Sequence, residues 1–414
     1  MTVAITRSTN PAIREVNRDL AAAQDTQILR AVAMVDAMPD RGQADQLVAP
    51  LRARLARLRP PRPLRFARLL FLPMDPLIVS PARWRISDAT IPRTVIPVIA
   101  ATLRQAMPDA EAVERLIRGR ITAETDVVEH AGGMLWSRAA TLLQTPPPPI
   151  GWDATGLALT AYLPLARRIG AMLSQADRLS RLANDAARGL SPPDIRLIQS
   201  MIAAATTFES PAQSMLIALL LSRVPEAAPV LARVATSLGP RGEALLRESW
   251  DDASGLLVDQ LERPGAAEDQ LGGADLTDAS ATARRLILLI AALETDTIPP
   301  ARRDRLGQIR RRVAASCEAL FTERMTAALL EPLRAGCPDP AHDIEAAARG
   351  LRALETEARR IAGGKLFDTL LSEASNTLRD AATLNVLERI SAIRLMEILA
   401  GPEAAMSLLT GIPR

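Results

Sequence analysis

Apolar residues recur at helical spacing through most of the chain, and most regularly near its end. Ile344, Ala347, Leu351, Leu354, Ala358 and Ile361 alternate spacings of three and four, which places them on one seam of a helix. The seam stops at Gly363-Gly364, a C-cap signal, and two more amphipathic stretches follow over 366–381 and 384–400. Three antiparallel helices account for this region. The stretch 153–189 repeats the pattern: Leu159, Leu163, Ala166, Ile169, Leu173 and Leu179 are expected to face inward and Arg167, Arg168, Arg178 and Arg181 outward, with a kink at Pro164. Helix starts are then marked by Ser191-Pro192-Pro193-Asp194, Ser210-Pro211, Pro225 and Gly239-Pro240. Their uneven spacing matches no fixed repeat period, although short helices between proline turns suit stacked pairs. Nowhere does apolar–polar alternation persist between regular turn signals, as a β-sandwich or barrel requires. The expected fold class is all-α, a multi-helix array or irregular helical bundle, with a solenoid-like arrangement open and no significant β-sheet.

The strongest break is Pro146-Pro147-Pro148-Pro149 followed by Gly151, which reads as a stiff spacer. It predicts an N-terminal helical region, 1–145, and a C-terminal one, 151–414, the latter with subdivisions near 264–275 and 299.

Composition sharpens the helical reading: 48% of the 414 residues are hydrophobic but only 2% are aromatic. Fifty basic residues against forty-seven acidic ones leave a net charge of +3, and forty-nine of the fifty are arginine. Such a bias reflects overall composition and makes nucleic acid an unlikely partner. Cys317 and Cys337 stand twenty apart without a C-x-x-C, so free thiols in a reducing compartment are expected. The first residues lack an apolar signal core and no apolar run approaches ~20 residues, which points to a cytoplasmic chain, with the periphery of a membrane as the alternative.

Catalytic signatures are scarce. There is no G-x-S-x-G, H-E-x-x-H or G-x-G-x-x-G, and Gly363-Gly364-Lys365-Leu366 lacks the remainder of a P-loop. Asp251-Asp252 has no third aspartate to complete a metal-binding motif. Asp126 and His130 stand one helical turn apart, but one ligand of an inverted zinc motif is missing, and a solvated Asp–His pair is the expected arrangement. Cys337 and His342 flank a turn in which Asp339 or Asp343 reads as a helix cap. These observations lean against an enzyme, with no catalytic residue, metal or cofactor assigned.

One stretch departs from this background. Residues 52–93 hold ten arginines and only Asp75 and Asp88, while the rest of the chain holds forty basic and forty-five acidic residues. The protein's whole excess of positive charge is therefore in this Pro-rich segment. Within it, Arg62, Arg65 and Arg68 stand at threefold spacing beside Leu69, Leu70, Phe71 and Leu72 in a short amphipathic element, and Trp84 lies between Arg83 and Arg85. Such an element can pack as a loop between helical layers with its arginines at the rim, lie on an anionic membrane surface, or meet an acidic protein or a nucleic acid. A lesser cluster, Arg302, Arg303, Arg305, Arg310, Arg311 and Arg312, falls at a helix start, where positive charge opposes the dipole and calls for acidic neighbours from another helix. The expected function is a helical scaffold or adaptor that binds a protein partner or another copy of itself. The alternative is a peripheral membrane or apolar-ligand protein that uses segment 52–93. The candidate contact residues are Arg62, Arg65, Arg68, Arg83, Arg85, Phe71 and Trp84.

Overall fold

The computed structural model describes residues 23–37, 62–144, 148–185, 189–224, 226–263, 270–271, 276–294, 300–335, 341–383 and 389–411. It is an all-α array. Its helices are α1 (Asp25–Ala37), α2 (Phe66–Phe71), α3 (Val95–Ala106), α4 (Ala110–Ile117), α5 (Thr125–Leu142), α6 (Tyr162–Leu173), α7 (Ala176–Asp185), α8 (Pro192–Ala205), α9 (Ser210–Arg223), α10 (Ala227–Ser237), α11 (Pro240–Leu261), α12 (Leu276–Leu293), α13 (Pro300–Met325), α14 (Glu331–Ala335), α15 (Ala341–Ala358), α16 (Gly364–Thr383), α17 (Arg389–Ala400) and α18 (Pro402–Gly411). A parallel pair of two-residue strands, β1 (Ile78–Val79) and β2 (Ile91–Pro92), is the sheet among the described residues, with Ile78 opposite Ile91.

The proline signals mark starts because proline lacks the N–H that a first helical turn leaves unpaired anyway. Pro192, Pro211 and Pro240 each sit in the opening turn of their helix. Asp194 closes the start of α8 by accepting from the Ser191 backbone N–H at 2.8 Å and from its hydroxyl at 2.5 Å. Gly239 enters α11 at φ 70, in the region that favours glycine.

α9 is the centre of the array. Every residue from Ser214 to Leu221 is buried, so the helix is apolar all round and is covered on all sides. It packs on α6 and α7, on the 3-10 turn Leu72–Leu77, on α11 and on α12. α10 lies against α8 and α11, and α12 against α15, while α13 joins α11 to the C-terminal helices α15 and α16. One buried apolar cluster runs from Leu64 to Leu408. The helices on either side of the prolines also meet, α5 packing against α6 and α7. Residues 145–147, most of 264–275, and 295–299 lie outside the described residues.

The stretch 153–189 differs from its sequence reading. It forms two helices, α6 and α7, preceded by 3-10 turns; Ala166, Ile169, Leu173 and Leu179 are buried as expected, while the start of the stretch and one arginine depart from their expected faces. Leu159 is 59% exposed and Leu163 38%, whereas Arg168 is buried. Pro164 falls in the first turn of α6, where it starts the helix and breaks no hydrogen bond. In the C-terminal seam Ala348 is fully buried and Ala347 half-buried, a shift of one position. Between α13 and α14 the helix widens into a π-turn, Thr326–Leu330, that no sequence signal announced.

Candidate interaction surface

Residues 62–93 are divided into short pieces, α2, two 3-10 turns and the strands β1 and β2, and the prolines that keep them short also leave carbonyls without ladder partners. A buried backbone carbonyl needs a donor. Here the donors are side chains from distant helices. Trp136 Nε1 of α5 donates to Leu69 O at 3.0 Å, Arg168 of α6 to Ile86 O at 2.5 Å, Arg223 of α9 to Leu72 O at 2.6 Å, and Gln260 of α11 to Pro76 O. Two more bonds are internal: Arg68 to Pro63 O at 2.5 Å and Trp84 Nε1 to Thr90 O at 3.2 Å. The segment is thus pinned to four helices.

Its apolar side points into the core. Leu64, Phe66, Leu69, Leu70, Phe71, Met74 and Leu77 are buried, Leu69 and Leu70 completely. The packing-loop arrangement is therefore the one adopted. The apolar face of the amphipathic element, which the membrane alternative requires, is covered by the protein itself. Phe71 is 2% exposed, and Trp84 is half-buried with its indole N–H engaged. Arg68 is half-buried and committed to a backbone carbonyl, and Arg65 is half-buried at the start of α2.

The remaining arginines are at the surface. Arg62 is exposed, 3.9 Å from the Asp75 carboxylate, and Arg83, Arg85 and Arg93 are exposed as well. Asp88 accepts from the Arg85 backbone N–H at 3.0 Å, which fixes the turn and leaves the guanidinium outward. Arg263, just after α11, completes the corner. Its pKa is lowered by burial first and then by the charges of Arg83 and Arg93, with Asp259 opposing. Its Nε is buried without an acceptor. Asp259 itself pairs with Arg305. Arg83, Arg93 and Arg263 thus form an electropositive corner on a rigid base, and the sequence reading missed Arg263 because 170 positions separate it from Arg93. Four of the ten arginines of the segment, Arg52, Arg54, Arg57 and Arg59, lie outside the described residues.

Four of the six arginines of the second cluster have internal partners, while Arg303 and Arg311 are exposed. Arg302 meets Asp251 at 2.6 Å, Arg305 meets Glu262 at 2.6 Å as well as Asp259, and Arg310 meets Glu294 at 3.3 Å. Arg312 donates to the Glu262 carbonyl at 3.0 Å. These are the acidic neighbours from another helix that the first turn of α13 called for.

Asp126 and His130 are both exposed on α5, and no ion pair joins them, contrary to the expected Asp–His pair. Cys317 is free and buried on α13, whereas Cys337 is outside the described residues and nothing is described of the His342 side chain. No group of three or more His, Cys, Asp or Glu among the described residues is placed to hold a metal ion, and no described helix is long and apolar enough to cross a membrane. Comparison with known protein families, curated proteins and solved structures finds no match to this chain.

Proposed function

We propose that the protein is a helical scaffold that docks an acidic protein segment on the corner formed by Arg83, Arg93 and Arg263. The observation that carries this reading is the placement of Arg263, half-buried beside two like charges with an unsatisfied Nε. A desolvated cation among cations is unfavourable in isolation, and a carboxylate that enters the corner offsets the repulsion. Docking to an acidic protein is favoured over membrane insertion because the apolar residues beside these arginines are in the core, leaving charge without an inserting face.

The test uses the full chain, a labelled glutamate-rich peptide, and vesicles of phosphatidylserine and phosphatidylcholine. Anisotropy should show saturable peptide binding that weakens as salt rises and shortens the ~10 Å screening length. Arg83→Glu with Arg93→Glu should weaken it at least tenfold with an unchanged helical spectrum. The control Arg303→Glu with Arg311→Glu, exposed positions on α13, should not. Equal loss in both pairs, or binding to vesicles without binding to peptide, would remove the reading.

A further inference from the structure

A pocket of about 260 Å³ opens between the end of α9, the start of α10 and the middle of α12. Its walls are apolar, with Leu221, Val224, Ala228, Leu288 and Ala292 among them, and one cation, Arg285, lines it. Arg285 is half-buried and makes no ion pair or hydrogen bond among the described residues, and burial alone lowers its pKa. Close by, Arg223 adds a second positive charge, its pKa lowered to about 10 by burial, with the Asp75 charge opposing and Arg285 contributing repulsion.

The rim strengthens the same field. Glu226 also lines the pocket, but its carboxylate is drawn to Arg284 at 3.1 Å and makes no cap bond to α10. The first turn of α10 therefore presents its positive end uncapped by that side chain. Glu226 holds φ at 59, the one non-glycine residue with positive φ among the described residues. Backbone strain of this kind collects at binding sites.

We infer that this pocket binds a small apolar carboxylate, its hydrocarbon tail against α9 and α12 and its head on the Arg285 guanidinium. Charge complementarity sets the head: an unpaired, partly desolvated guanidinium is matched by a carboxylate, which it can hold with two parallel hydrogen bonds. The walls set the tail, since they are otherwise apolar apart from Glu226, whose carboxylate is committed to Arg284. Size sets the length. Pockets for drug-sized ligands span ~300–1,000 Å³. At about 30 Å³ per water-sized group this one holds roughly nine non-hydrogen atoms, close to octanoate. The site is remote from the corner of Arg83 and Arg93 in its chemistry and does not depend on the docking proposal.

Calorimetric titration of the full chain with octanoate, 1-octanol and acetate tests the inference. Octanoate should saturate one site, octanol should bind at least tenfold more weakly, and acetate should not register. Arg285→Met replaces an unpaired half-buried cation by an apolar chain and is expected to fold. It should lose the preference for octanoate while still binding octanol. Ala228→Trp, which fills the pocket, should lose both and serves as a second variant should Arg285→Met fail to fold. No saturable octanoate binding, octanoate binding unchanged in either variant, or seating of an apolar segment of a second copy in the pocket without any carboxylate effect would each overturn it.

Discussion

Trp136 stacks back over Gly132, one turn earlier on α5, so that a Cβ at 132 would overlap the indole ring, which is 1% exposed and tied to Leu69 O. The adjacent glycine is different, because the nearest atom to a Cβ at 133 is Asp177 Oδ1 at 3.7 Å. Gly132→Ala should therefore lower stability by ~1–3 kcal/mol through overpacking. Gly133→Ala should be neutral or raise stability by up to about 1 kcal/mol through helix propensity. Denaturant midpoints of the two variants check this, and equal shifts would contradict the packing argument. Nothing in the local sequence distinguishes Gly132 from Gly133; only the position of the tryptophan ring does. Cys317 gives a second residue-scale test. Burial, with Glu318 adding to it, pushes its thiol up to about 12, so almost no thiolate exists near neutral pH. In a Cys337→Ala background, a thiol reagent at pH 8 should react with Cys317 only after unfolding, and rapid labelling of the native protein would refute the burial. Arg168 marks the limit of reading single residues. Its place in a helical pattern put it outside, yet a carbonyl 82 positions earlier, at Ile86, draws it in.

At the scale of elements, prolines carried most of the legible information, because their missing N–H acts locally and needs no tertiary context. That is why the starts of α8, α9 and α11 were readable, whereas the π-turn 326–330, which contacts α15 and α16, carries no such local signal. The arginine-rich start of α13 was legible as a conflict between charge and dipole, and the resolution expected for it, acids on a neighbouring helix, is found at Asp251, Asp259 and Glu262. This makes the α11–α13 contact sensitive to acid. The hydrogen bond from Arg305 holds the Glu262 carboxyl below the ordinary carboxylate range, partly opposed by burial and aided by the charges of Arg305 and Arg312. A carboxyl depressed in the folded state stabilises it above the unfolded pKa, ~4.3 for glutamate, and that contribution disappears as pH falls through the lower folded value. The pair is partly exposed, so Glu262→Gln should cost only about 0.2–1 kcal/mol at pH 7. Thermal melts of both proteins between pH 7 and pH 2 should show the gap closing as pH falls. A gap that widened in acid would reverse the assigned sign.

At the scale of the molecule, the prolines at 146–149 and the central helix α9 make opposing claims on how the chain divides. Local composition marks a spacer, but three side-chain bonds reach from residues after it to carbonyls before it: Arg168 to Ile86, Arg223 to Leu72 and Gln260 to Pro76. α5 covers α6 and α7 from the N-terminal side, and the turn Leu72–Leu77 covers α9. Such long-range contacts leave no local trace in a sequence, which explains why a break in the chain was legible and its bridging was not. A specific protease site inserted between Gln144 and Thr145 weighs the two. If the contacts across the prolines dominate, the cut chain should elute at the volume of the uncut one and melt in one transition, because separation would expose the buried faces of α5, α6 and α9 to water. The piece 151–414 expressed alone should then expose the same faces and aggregate or lose its sharp melt. If the two regions are separate folding units, the halves should part on the column without denaturant and 151–414 should melt cooperatively alone. Charge reversal at Arg83 and Arg93 should leave this result untouched, since those guanidinium groups face outward and the joining bonds run through backbone carbonyls.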